Sequence, residues 1–514
     1  MSSVTKEVLE PVLTLQKSNQ NSFWGQVSTN LITKGFLMSG LFLFSFVLGV
    51  WPVNQTVILI PAGLAIGLFI SWVLEKFSIL VTTNGGLYFF LRCIWGKVPA
   101  FILSTLWLGL ASFFAGYLLI ILPRYLIPEY LKIAGTGFAN QSILNFISQI
   151  KDPINIVAYG LVLILLGFLL ATSLNKAYTF IINLALVFMI ILAGLILFQV
   201  IVPFYTFETA WNQLLGVNIF ADVVMRSEIF QIGRFNFNGI FQFASLAVFA
   251  WLFTYGVENL IIPKQLNQKP SVWAHWLPGI FSAGFIVLFL FMISRFLPEK
   301  WLTAQSYLAL LGEGTVGPST SLFTTYAGIM RPDISIFGII VLGWIVFNLG
   351  YLRSIFSMGA LLFASFASDN IIHPIFLQKN IRTNQTPMGI LVAAIVVIVG
   401  FISGLYSLNI VDLIGFILMQ LIIILFILAA MTFGNKWQSL INESTPRIFS
   451  QRIGKFPVLS LFSGIAFVVM AGLIVLLVIT PTPYGFTPWL GIVVTAMILI
   501  LTGIYSLAYR RKFK

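Results

Sequence analysis

Charge is what this chain has least of. Of 514 residues, 8% are charged and 59% are apolar. Soluble domains carry about a quarter charged residues, so a water-soluble fold is excluded. Cysteine is nearly absent as well, and the single Cys93 excludes an internal disulfide. The two histidines, His275 and His373, lie far apart and read as loop or interface residues, so no metal site or cofactor is expected. Neither clustered catalytic side chains nor a Gly-rich phosphate loop is found, which argues against an enzyme. Residues 1–30 are polar and lack a short apolar stretch with a small-residue cleavage site, so no removable signal peptide is read.

Apolar length is what the chain has in abundance. Continuous apolar runs recur, each long enough to cross a hydrocarbon core of about 30 Å. Because they do not alternate at period two, a β-barrel is excluded. The reading is an all-α polytopic membrane protein of about 12 transmembrane helices. The spans lie near 31–51, 56–80, 98–122, 154–173, 178–203, 238–263, 274–297, 334–364, 387–406, 409–432, 457–480 and 485–508. Segment 1–30 is then a cytoplasmic N-terminal segment, 31–510 the transmembrane domain and 511–514 a cytoplasmic basic tail. The longer loops 123–153, 204–237 and 298–333 contain Gly, Pro, Asn and aromatic residues and are expected to form short helices over the outer mouth.

With the N-terminus inside, the inner side carries 19 Lys and Arg, against 8 on the outer side where 8 acids balance them. Only Arg353, Glu258 and Asp412 fall well within spans. This is the positive-inside asymmetry that orients membrane proteins. Both termini are therefore placed in the cytoplasm, in a plasma membrane, with the bilayer and a small-molecule substrate as partners. Nucleic acid is excluded, because the basic residues sit in short interhelical loops and not on one clustered face.

Two spans contain unusual glycines. The first has Gly35, then Met38-Ser39-Gly40-Leu41-Phe42, then Gly49 before Pro52; the sixth has Phe253-Thr254-Tyr255-Gly256-Val257-Glu258. Glycine in an apolar span serves close packing, or it marks a helix that unwinds to free backbone groups for a ligand. A matched pair of interrupted spans in two inverted repeats points to a carrier's binding site. A channel would need rings of carbonyl or charge, and these spans supply almost none.

Four segments in order resemble the amino acid–polyamine–organocation transporters, among them bacterial amino acid permeases and the arginine–agmatine antiporter. Ser39-Gly40-Leu41-Phe42 is similar to the family's Gly-Ser-Gly-Ile/Val-Phe segment, with Met38 replacing the first Gly. Asn84-Gly85-Gly86-Leu87-Tyr88 with Arg92, Cys93 and Gly96 resembles the stretch before the third helix. Phe253–Glu258 resembles the sixth-helix motif, and Ala367-Ser368-Asp369-Asn370 with Thr386-Pro387 stands where the family has Ala-Arg-Asp-Gly and Thr-Pro. The resemblance implies a 5+5 inverted repeat of the leucine-transporter fold, with discontinuous helices one and six, and secondary transport of amino acids, proton-coupled. Antiport or uniport of amino acids or polyamines is the alternative.

It further implies a substrate site at the backbone of Ser39, Gly40 and Leu41 for a carboxylate, and at Leu252, Phe253, Thr254 and Gly256 for an ammonium. Half-helix termini supply the matching partial charges. Trp107 is expected to wall the pocket, or else to pack or face lipid. Glu258, an intramembrane carboxylate, is the candidate for proton coupling. Arg353 is either its static partner or a surrogate cation between the first and eighth helices. Asp412, at an outer helix end, and Glu75, beside Lys76, read as solvated or snorkelling groups.

The topology is directly testable. In a Cys93→Ala background, Leu215→Cys should react with an impermeant maleimide added to intact cells, and Gln268→Cys should not; labelling at 268 overturns the orientation.

Overall fold

The computed structural model describes residues 23–42, 53–78, 86–137, 141–172, 175–215, 219–229, 246, 250, 273–311, 322–378, 386–406, 427, 451–454 and 456–479. Spans 238–263, 409–432 and 485–508 lie almost wholly outside these residues, and the other nine are helical where described. Among the described residues, seven helices are long and apolar enough to cross a membrane. In hydrocarbon no water satisfies a free N–H or C=O, so each crossing must close its hydrogen bonds within itself. The fold is that of an all-α polytopic membrane protein.

The first span begins as α1 (Phe23–Lys34), bends at Gly35 and resumes as α2 (Phe36–Phe42). There follow α3 (Val53–Ser78), a short α4 (Gly86–Trp95) and α5 (Lys97–Leu118). α5 runs through a π-helical segment (Leu122–Leu126) into α6 (Ile127–Gly137), and α7 (Gln141–Ile150) precedes α8 (Pro153–Ala171) and α9 (Asn175–Ile201). Next come α10 (Phe207–Leu215), α11 (Ile219–Ile229), α12 (Trp273–Ile293), α13 (Glu299–Leu311) and α14 (Phe323–Met330). Last are α15 (Ile334–Ser368), α16 (Pro387–Tyr406), a two-stranded hairpin (Arg452–Ile453 with Phe456–Pro457) and α17 (Val458–Ile479).

These helices pack in two groups. Spans three, four, eight and nine form the first: α15 packs on α5, α8 and α16, and α16 packs on α5 and α8. Spans one, two and seven form the second, in which α12 packs on α1, α2 and α3, with α17 against α3. Span five, α9, touches both groups.

The first group is held by backbone-to-backbone approach. A Cβ on Gly116 would overlap the Val397 carbonyl oxygen, and one on Gly400 would overlap that of Phe113. Gly359 and Gly389 meet in the same way between α15 and α16. Dispersion and short contacts replace the hydrophobic effect between helices in lipid, which is why small residues line such crossings.

The described parts of the loops 123–153, 204–237 and 298–333 form short helices as expected, and aromatic residues link them. Trp301 of α13 stacks on Phe220 of α11 with centroids 4.7 Å apart and meets Trp211 of α10 edge-on at 4.8 Å. Its indole Nε1 donates to the Phe220 carbonyl at 3.0 Å. All eight residues of α14 are buried, and its Phe323 ring reaches Phe36 in the first span and Phe285 and Phe289 in the seventh.

Glycine contacts make a prediction with internal controls. Gly116→Ala and Gly400→Ala should each destabilise by about 1–3 kcal/mol, because backbone cannot swing aside. Gly109 and Gly194 have open space at the Cβ position, so Gly109→Ala and Gly194→Ala should be neutral or gain up to about 1 kcal/mol. Thermal unfolding of the purified protein in detergent checks the difference in sign.

Candidate functional site

Two of the quoted sequence motifs, nearly three hundred residues apart, meet in the fold. Asp369 closes α15, 7% exposed, and three side chains from the start of the third span converge on it. Arg92 Nη1 pairs with Oδ1 at 2.7 Å, and the Tyr88 hydroxyl donates to Oδ2. Lys97 Nζ stands 3.9 Å from Oδ1 and donates to the Asp369 carbonyl at 3.4 Å. Burial, and then the hydrogen bond to Asp369, push the Tyr88 phenol far above its usual range, so it remains a donor.

Backbone conformation explains the neighbouring motif residues. Gly96 sits at φ 87°, ψ 176°, a region essentially reserved for glycine, and turns the chain between α4 and α5. Asn370 adopts φ 56° just after the helix end. The Ile371 N–H then donates to the Phe366 carbonyl and the Asn370 N–H to that of Ala367, a left-handed cap that asparagine tolerates in the place glycine usually takes. The arrangement is a charged latch fastening α4 to the end of the eighth span. Sequence reading quoted these motifs without pairing them. Nothing in a linear pattern says that one aspartate accepts from residues so distant.

The structure corrects the first span. Ser39, Gly40 and Leu41 have helical backbone within α2, and the interruption falls at Gly35. A Cβ on Gly35 would overlap the Leu31 carbonyl oxygen, so this bend needs glycine, and Met38 N–H donates back to the Gly35 carbonyl at 3.0 Å. Gly40 serves packing: the Phe323 ring occupies the space where its Cβ would stand.

Leu252, Phe253, Thr254, Gly256 and Glu258 lie outside the described residues, as does Asp412. Trp107 is 3% exposed, which removes the lipid-facing option. His373 is an exposed loop residue whose Nδ1 accepts from Ile375 N–H.

Arg353 donates from Nε to the Leu170 carbonyl at 3.3 Å, in the last turn of α8. A guanidinium there faces the negative end of the helix dipole. The same stretch of α15 touches the first span through Gly350, against which Ile32 lies. Arg124 makes the counterpart contact: its Nη1 donates to the Leu405 carbonyl at 2.8 Å, in the last turn of α16. One clasp runs from the third span to the end of the ninth, the other from the eighth to the end of the fourth.

No protein-family model and no curated protein matches this chain. What the fold and these contacts define is the class, an all-α polytopic membrane protein with a charged latch between α4 and the end of α15.

The latch predicts a rank order. Asp369→Ala leaves the buried Tyr88 hydroxyl without its acceptor and should cost about 1–3 kcal/mol. Tyr88→Phe should cost about 1 kcal/mol, and Lys97→Ala close to nothing, since its ammonium is half exposed. Thermal melts of the three variants check the order; an equal loss in all three contradicts the geometry.

Proposed function

We propose that this chain is a secondary transporter that carries amino acids across the plasma membrane by alternating access, driven by protons. The observation that carries the reading is the pair of arginine clasps. Exchanging span three with eight and four with nine turns Arg124–Leu405 into Arg353–Leu170. A 5+5 inverted repeat requires that exchange, because its third and fourth helices correspond to its eighth and ninth. The packing of spans three, four, eight and nine on one another, and of spans one, two and seven, with α15 also crossing α1, fits the same architecture. In such a carrier one group rocks against the other around a central site.

Other features fall into place under this reading. The four-span group, clasped at opposite faces by two arginines, is the static scaffold. Arg353 then has a mechanical role, which makes the surrogate-cation role unnecessary. The latch at Asp369 holds the inner end, and α14, wedged by Phe323 against Gly40, covers the other. Glu258 remains the proposed proton carrier, since an ionisable group in the sixth span has a raised cost when charged. A pore is disfavoured by the dry aromatic packing of α10, α11, α13 and α14.

Proteoliposome uptake tests the proposal. Labelled amino acids should enter saturably, accumulate under an imposed inward proton gradient and show no dependence on sodium. Glu258→Gln should retain exchange but lose accumulation. Exchange without gradient-driven accumulation in the native protein would favour the antiport or uniport reading, and non-saturable flux would overturn the carrier itself.

A further inference from the structure

Within the eighth span, Trp344 Nε1, Asn348 Nδ2 and Ser357 Oγ have no hydrogen-bond partner among the described residues. Trp344 is fully buried and Asn348 is 2% exposed. Leaving such a donor unpaired costs about 1–3 kcal/mol, so few persist in native proteins without a reason. The two residues are four apart in α15, which puts their side chains side by side on one face.

That face looks at the third span. Phe337 and Phe366 share it at multiples of the helical repeat. Phe337 stacks on Tyr130 at 4.3 Å, and Phe366 meets Phe101 edge-on at 4.9 Å. Both partners belong to α5 and its continuation α6. The antiparallel register between these contacts sets Trp344 and Asn348 level with the stretch from Leu119 to Pro123. Here the third span is irregular: α5 stops at Leu118 and the π segment starts at Leu122. Pro123 has no N–H to give the Leu119 carbonyl, its regular helical partner. Two N–H donors therefore confront a stretch of helix that has lost a donor.

Two adjacent donors match the two oxygens of a carboxylate. A bare anion at this depth is costly, so its counter-charge is best carried on the same molecule, as an ammonium facing the carbonyl side of the break. We propose that Trp344 and Asn348 form the carboxylate subsite for a zwitterionic amino acid held between the eighth and third spans. The inference rests on the carrier reading and alters it in one respect. The first-span backbone expected to take the carboxylate is helical at Ser39–Leu41, and side-chain donors of the eighth span take that role.

Binding of the twenty proteinogenic amino acids, and of their decarboxylated amines, to the purified protein decides the matter. A thermal-shift screen selects the tightest binder, and calorimetry measures its Kd. The amino acids should bind and the amines should not. Trp344→Phe and Asn348→Leu, which remove the donors and keep near-native volume, should each raise Kd about ten- to hundredfold. If Trp344→Phe does not fold, Asn348→Leu alone decides. Unchanged Kd in the variants overturns the subsite and leaves the carrier reading standing. Amines binding as tightly as the acids overturn the carboxylate assignment. An absence of binding by any amino acid to the native protein overturns the carrier reading, and the subsite with it.

Discussion

A backbone that crosses hydrocarbon has no water to complete its hydrogen bonds, and the architecture of this protein follows from that single demand. Within a helix the demand is met automatically. It becomes a problem only where a helix starts, stops or bends, and those are the places where the chain spends its few polar side chains. Asp152 and Asp333 accept from N–H groups at the starts of α8 and α15. Arg353 and Arg124 serve carbonyls at the ends of α8 and α16, and Asn370 folds the end of α15 back on itself. Most of these residues finish helices first and link spans as a consequence.

The same economy shapes the packing. Lipid tails compete on equal terms with leucine for apolar contact, so helices that must stay together do so through close approach and a small number of strong polar contacts. The α5–α16 crossing uses glycines to bring backbones together; the latch uses one aspartate to gather three donors. Both lie in or on the four-span group. The second group uses aromatic contacts, such as Phe36 with Phe285 and, from α14, Phe323, which interlock by shape and carry no charge.

Unpaired polar groups take on meaning against that background. Having met nearly every backbone need at its helix ends, the chain leaves Trp344 and Asn348 unsatisfied in the eighth span.

Composition by itself determined the class, the helical content and the positions of those spans that the structure describes. The solvent dictates these through length and hydrophobicity, so no knowledge of neighbours is needed. Short helices in the loops were legible from their Gly, Pro and aromatic content. The use made of each glycine was not legible. Gly35 and Gly40 look alike in sequence, and only the position of Phe323 and the Leu31 carbonyl reveals which one packs and which one bends. Nor could sequence pair Asp369 with Tyr88 and Arg92, because their proximity depends on how α4 and α15 cross. Arg353 was noticed as a buried charge, yet its partner is a main-chain carbonyl, and carbonyls have no signature in a sequence. Trp344 and Asn348 were not singled out from the sequence. That they lack acceptors is a property of the space around them, which only the tertiary structure decides.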